Sequence, residues 1–377
     1  MGTYNDSVHS EVYDTGADPS LEDVYNNMSP PMTRDQWHIH DPSHIVATDG
    51  MLMIAVTGKA QEDGYKLVLS RLVHYYYHGY RCGLETWYLA PGQTDWQPGQ
   101  CLFTSKPAWI DEELPSNDGA FWAPALLSPR LMYYSVAAMD EDVDAQCIGL
   151  AMATGTAPDL TWIDSGNSIT CSFDPESNDD VNMPNSIDPA TFIDEDGSHH
   201  LLYGGGRIWT TELDPVTGDQ IEGNWWDEED PAYHYLARGP DSLYDPGEVE
   251  WIEASYMHKN SGYYYLFVNW FGCCDGVDST YEIHVGRGDA PTGPFVDKDG
   301  VDMTQGGGSL LLAKNGRYIG PGHAGIFSEG GRDWFSFHFY DGDRDGLPWV
   351  EMRRMVWEEG WPRVTEERFN ATAYFEQ

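Results

Sequence analysis

The sequence predicts an all-β fold, a five-bladed β-propeller, on three observations. Aromatic and β-branched runs bounded by turn residues dominate the chain. Helical periodicity is confined to short pieces. Five short segments of similar character recur at near-regular spacing. The clearest strand is Tyr263–Trp270, which follows the turn residues Asn260-Ser261-Gly262. Comparable runs lie at 51–56, 131–136, 199–203 and 334–340.

The recurring segments are His40-Asp41-Pro42-Ser43, Trp122-Ala123-Pro124-Ala125, Ser186-Ile187-Asp188-Pro189-Ala190, Ile252-Glu253-Ala254-Ser255 and Gly320-Pro321-Gly322-His323. With Asp41, Pro124, Asp188, Glu253 and Gly322 as markers, the gaps are 83, 64, 65 and 69 residues. That period suits four-stranded blades with extra loop residues, and five markers give five blades. The long first gap predicts an insertion around 74–117. The domain reading is an acidic N-terminal extension over 1–34, a propeller over 35–365 and a C-terminal tail over 366–377.

A length of 377 residues with 41% apolar content supports one large all-β domain with a true core. Acidic residues number 62 against 20 basic ones, a formal charge of −42. A field of that sign excludes nucleic acid and anionic membrane surfaces as partners, and a 14% aromatic content argues against disorder. Lysine occurs at six positions only, so the acidic, lysine-poor surface reads as that of a salt-loving organism. The alternative is an acidic exported enzyme. No stretch approaches the roughly 20 apolar residues of a membrane span. No signal peptide is visible at the N-terminus, which reads as a cytoplasmic protein or an extracellular one whose signal has been removed. The six cysteines have no metal-finger spacing, and Cys273-Cys274 reads either as a vicinal disulfide or as two buried thiols.

In a propeller the innermost strands converge on one channel, so residues at their starts become neighbours. That gathers Asp41, Asp188, Glu253 and His323. Cleavage of a glycosidic bond needs a general acid on the leaving oxygen and a second carboxylate. A third carboxylate beside the acid would raise its pKa and keep it protonated. The same acids also read as ordinary turn formers, since Asp before Pro is common in turns.

The chain resembles the arabinanase and α-L-arabinofuranosidase branch of glycoside hydrolase family 43. The strongest match covers 252–298, including Ile252-Glu253-Ala254, Gly262-Tyr263-Tyr264-Tyr265-Leu266-Phe267-Val268, Cys273-Cys274-Asp275-Gly276 and Thr292-Gly293-Pro294-Phe295. His40-Asp41-Pro42-Ser43, Ile187-Asp188-Pro189 and Gly320-Pro321-Gly322-His323 match the other landmarks in order, and the whole resemblance spans 37–362. It implies a five-bladed propeller that inverts anomeric configuration. In that scheme Asp41 is the general base, Glu253 the general acid, and Asp188 tunes and orients Glu253. His323 matches a histidine that holds calcium, with water supplying most other ligands. The implied partner is arabinan or an arabino-oligosaccharide, and the implied compartment is extracellular. Trp122, His40 and Ser255, beside the landmarks, are the candidate substrate contacts.

Two departures stand out. Ala125 replaces the acid that many relatives carry after Trp-Ala-Pro, and Tyr203-Gly204-Gly205-Gly206-Arg207 replaces a Phe-Trp-Ser-Gly string. The leading expectation is an endo-acting α-1,5-arabinanase. The rivals are an exo-acting α-L-arabinofuranosidase, a β-xylosidase, and a non-catalytic sugar-binding propeller. Asp341-Gly342-Asp343-Arg344-Asp345-Gly346 starts like a calcium loop but has Met352 where Glu is needed, so it reads as an acidic turn. Gly306-Gly307-Gly308 reads as a turn, and Tyr75-Tyr76-Tyr77 as core or as a sugar platform.

Overall fold

The computed structural model describes residues 39–59, 83–103, 105–138, 145–173, 185–221, 232–245 and 247–376. The expected N-terminal extension and the run Tyr75-Tyr76-Tyr77 lie outside them.

Five antiparallel sheets form a five-bladed propeller. Blade 1 is β1 (Val46–Thr48), β2 (Met51–Val56), β4 (Glu85–Leu89) and β5 (Gln97–Cys101), with the two-residue β3 (Gly58–Lys59) crossing to the next sheet. Blade 2 is β6 (Ala120–Ser128), β7 (Leu131–Ala137), β8 (Ala145–Thr156) and β9 (Asp159–Phe173). Blade 3 is β10 (Ala190–Ile193), β11 (His199–Tyr203), β12 (Arg207–Leu213) and β13 (Tyr233–Arg238). Blade 4 is β14 (Ile252–Asn260), β15 (Tyr263–Trp270), β16 (Glu282–Gly288) and β17 (Ser309–Leu312). Blade 5 is β18 (Tyr318–Glu329), β19 (Arg332–Asp341), β20 (Leu347–Glu358) and β21 (Trp361–Arg368).

The second strand of each blade is the run that the sequence marked. In β15 seven consecutive residues after Tyr263 are buried, because both faces of an inner strand pack against neighbouring blades. The apolar clusters accordingly lie between blades. One joins blades 4 and 5 through Tyr265, Phe267, Phe335, Phe337 and Phe339. Truncating such a ring to alanine costs about 3–5 kcal/mol. Blades 1 and 5 close the ring through Ile39 N–H donating to Pro348 O at 3.0 Å and the edge-on pair Trp87–Trp349.

Two expectations need correction. The stretch 74–117 is not simply an insertion, since its described part supplies β4 and β5, the outer half of blade 1. Pro98 and Gly99 hid β5, and a short helix, α1 (Ala108–Glu113), follows before blade 2. The tail also begins later than 366. β21 runs to Arg368, and α2 (Ala371–Phe375) follows, with Phe369 edge-on to Trp334 and Tyr374 edge-on to Phe327. The sequence 341–346 is an acidic turn, with Asp341 accepting from Asp343 N–H and paired with Arg317 at 2.7 Å.

Candidate active site

Each blade carries one non-glycine residue in left-handed backbone at the start of its innermost segment. These are Asp41 (φ 44°), Ala123 (41°), Asp188 (52°), Ala254 (52°) and His323 (52°). Each such residue costs about 1–2 kcal/mol against ordinary backbone. In β6, β14 and β18 the pairing register shifts at this point, a bulge that re-aims the flanking side chains. The true repeat positions are therefore 41, 123, 188, 254 and 323, with gaps of 82, 65, 66 and 69 residues. Pro124, Glu253 and Gly322 each stand one residue from these positions, which fall on Ala123, Ala254 and His323.

The strained residues are held by a second repeated device. The N–H of each is met by a side chain, in four cases from the second strand of the preceding blade or the residue just after it. Asp41 N–H donates to His338 Nδ1 at 3.3 Å, and Ala123 N–H to Thr57 Oγ1 at 2.9 Å. Asp188 N–H donates to Ser135 Oγ at 2.9 Å, and His323 N–H to Asn269 Oδ1 at 3.1 Å. Blade 3 has Gly204 at this place, which offers no side chain. Ala254 N–H donates instead to Asp188 Oδ2 at 3.2 Å. A Cβ on Gly204, at φ 137°, would come 1.9 Å from Arg207 O, so glycine is required there. The missing cap pulls the Asp188 carboxyl toward the residue that follows Glu253.

Asp41 is surrounded by imidazoles. Its Oδ2 lies 2.7 Å from His40 Nδ1 and accepts from Thr57 Oγ1 at 2.7 Å. Its Oδ1 is 3.2 Å from His323 Nδ1 and 3.6 Å from His338 Nδ1. Burial works to raise the pKa of this carboxyl, but His40, His323 and His338 outweigh it and hold it well below the usual carboxylate range. Burial also drives His323 and His338 toward the neutral form. A neutral ring is what lets His338 Nδ1 accept from Asp41 N–H. His40 therefore carries the largest share of the stabilisation of Asp41.

Asp188 and Glu253 have the opposite surroundings. Burial raises the Asp188 carboxyl well above its ordinary value, and the charges of Glu253 and Asp41 push it further. Burial likewise raises Glu253, assisted by Asp41 and opposed by hydrogen bonds from Trp251 and Tyr281. Trp251 Nε1 donates to Glu253 Oε2 at 2.7 Å, and Tyr281 OH donates to Oε1. The surroundings of buried Asp188 and half-buried Glu253 thus both favour the protonated carboxyl.

The structure thus brings Asp41, Asp188, Glu253 and His323 into one electrostatically coupled group. Of the three expected substrate contacts, Trp122 keeps partial exposure. His40 is 3% exposed and Ser255 5%. His40 lies under the site, with Nε2 2.8 Å from Tyr340 OH and its ring stacked on His338. Tyr340 OH in turn accepts from Cys274 N–H at 2.7 Å, within the disulfide-joined pair Cys273–Cys274.

One ligand atom each from His40, Asp41 and His338 fall within 4.8 Å of one another, a possible cation cluster. His323 Nδ1 and His338 Nε2 are buried and make no hydrogen bond. Calcium takes six to eight oxygen ligands, and this cluster offers one carboxylate among imidazoles. The cluster is no protein-built oxygen cage, and water would have to supply most ligands of a hard cation held there.

The description of glycosyl hydrolases family 43 matches residues 83–362. The chain belongs to that family. It is 31% identical over 362 residues to the extracellular exo-α-(1→5)-L-arabinofuranosidase ArbA of Cellvibrio japonicus, covering 90% of this chain and 96% of that protein. It is 31% identical to the extracellular endo-α-(1→5)-L-arabinanase 1 of Bacillus subtilis, covering 71% of this chain and 76% of that one. Among solved structures, the α-L-arabinanase of Cellvibrio cellulosa complexed with arabinohexaose superposes with a TM-score of 0.69 at 27% identity, covering 88% of this chain and 96% of that one.

Sequence reading missed four residues at the site of this family-43 glycoside hydrolase. Thr57 and His338 were legible only as members of the capping set, which needs strand register to find. Tyr281 stood inside the matched Cys-Cys stretch, and Trp251 directly before Ile252-Glu253-Ala254, but nothing local marked either as a partner of Glu253.

Proposed function

We propose that this enzyme hydrolyses α-1,5-linked L-arabinofuranosyl bonds of arabinan by single displacement with inversion. The observation that supports this best is the contrast in surroundings, with imidazoles around Asp41 and a second carboxyl beside Asp188 and Glu253. Asp41, ionised, takes a proton from the attacking water. Glu253, protonated, gives its proton to the leaving glycosidic oxygen. Asp188, pinned by Ala254 N–H, tunes the pKa of Glu253 and orients it. Trp122 offers partly exposed aromatic surface to a sugar ring.

His323 would hold calcium, with water supplying most of the other ligands. Such an ion supplies positive charge that favours the ionised form of Asp41. We place the enzyme outside the cell, as its two extracellular relatives are described. Among the described residues no helix is long and apolar enough to cross a membrane.

The leading mode is endo-cleavage. Exo-cleavage is the second reading, favoured by the fuller coverage of the exo-acting relative, 96% against 76% for the endo-acting one. Chromatography of the products from linear α-1,5-arabino-oligosaccharides separates them. A ladder of products means endo, arabinose alone means exo, and no cleavage overturns the substrate assignment.

A further inference from the structure

Trp251 combines features that a buried structural tryptophan does not have. It is 46% exposed, yet its indole N–H is committed to Glu253 Oε2 at 2.7 Å. Its backbone is fixed, with its carbonyl accepting from Phe271 N–H at 3.0 Å. The six-membered edge of its ring lies over the glycine turn between β11 and β12. A Cβ on Gly205 would come 2.7 Å from the Trp251 ring, and one on Gly206 3.4 Å from it. The turn is tied to the same strand start by Gly206 N–H donating to Ile252 O at 2.8 Å. Gly205 and Gly206 therefore clear the room in which this indole sits beside the acid.

We propose that Trp251 is a positioning and specificity residue, its indole N–H holding Oε2 of Glu253 while its exposed ring face receives the sugar on the leaving side of the cleaved bond. This rests on Glu253 being the general acid of an arabinan hydrolase. The chemistry follows from the donor inventory, since an indole N–H donates and never accepts. It fixes the rotation of the Glu253 carboxyl without competing for its proton. The sugar bonded through the oxygen that Glu253 protonates must lie beside Glu253, and the half-exposed ring is the aromatic surface there. Aromatic faces pack the apolar side of a ring while its hydroxyls stay in water.

Two variants separate the two roles. Trp251→Phe keeps a ring face and loses the N–H. On α-1,5-arabinotriose its kcat should fall about tenfold with KM within twofold, the effect of one hydrogen bond to a group that ionises. On a dinitrophenyl arabinofuranoside, whose leaving group needs no proton, its kcat should match wild type. Trp251→Ala should add a roughly tenfold rise in KM for arabinotriose. Circular dichroism and melting curves establish that both variants are folded. A Phe variant with wild-type kcat on arabinotriose overturns the positioning role. Equal losses on both substrates overturn it too. An Ala variant with unchanged KM overturns the stacking role. Wild-type enzyme inactive on arabinotriose would overturn the arabinan reading itself, and with it this proposal.

Discussion

Asp41 and Asp188 occupy the same position in blades 1 and 3, both in left-handed backbone at φ 44° and 52°, and they are pushed in opposite directions. Burial opposes the charge on both. At Asp41 three imidazoles, His40 foremost, outweigh it. At Asp188 the nearest ionisable neighbours are the carboxyls of Glu253 and Asp41, which add to it. The repeat supplies a place for an acid, and what surrounds it decides its protonation. Asp41 has His40 of its own blade, with His323 and His338 from blade 5, whereas blade 3 faces a glutamate from blade 4. One fold element thereby carries a carboxyl whose surroundings favour its ionised form in blade 1 and one whose surroundings favour its protonated form in blade 3.

The strongest way to break this contrast is to remove each acid. Asp41→Ala and Glu253→Ala should each lower kcat on arabinan by about a thousandfold or more, without unfolding the protein. Glu253→Ala should recover on a dinitrophenyl arabinofuranoside and Asp41→Ala should not, because only the acid is dispensable for an activated leaving group. Asp188→Asn should be nearly inactive as well. A variant retaining more than about a tenth of wild-type activity contradicts the role assigned to that residue.

A smaller effect is expected on the imidazole side. His323→Ala should cut kcat by about a hundredfold with only a modest change in melting temperature, and prolonged chelation should reproduce part of the loss. Large destabilisation with normal turnover would make His323 a structural residue. Elemental analysis showing no metal in active enzyme would remove the ion from the account.

The five-blade count, and the acids that the fold brings together, were legible in sequence because both carry local marks. An inner strand such as Tyr263–Trp270 is buried on both faces and is therefore a continuous apolar run. The acids stand beside the turns that start the innermost segments. What sequence could not supply was register. Whether Glu253 or Ala254 is the repeat position depends on a bulge between β14 and β15, and no spacing rule reveals a bulge. The outer half of blade 1 was hidden for a related reason. β5 alternates half-buried and exposed positions, with Pro98 and Gly99 at its centre, and so carries little strand signal.

The smallest expected effect concerns the whole surface. With a formal charge of −42, self-repulsion should weaken the fold in dilute buffer, and salt should relieve it. Melting temperature should rise by several degrees between low salt and about 2 M, where the Debye length is below about 3 Å. A flat or falling curve removes the salt-adapted reading and leaves the site untouched.

The most direct test of the divided protonation is the pH dependence of kcat/KM on α-1,5-arabinotriose. A general base must be ionised, so activity is lost as pH falls through its pKa, and the lowered pKa of Asp41 moves that limb to lower pH. A general acid must be protonated, so activity is lost as pH rises through its pKa, and the raised pKa of Glu253 moves that limb to higher pH. The account predicts a broad plateau, with its acid limb below the ordinary aspartate value of about 3.9 and its alkaline limb above the ordinary glutamate value of about 4.3. A narrow bell with both limbs at those ordinary values would contradict it.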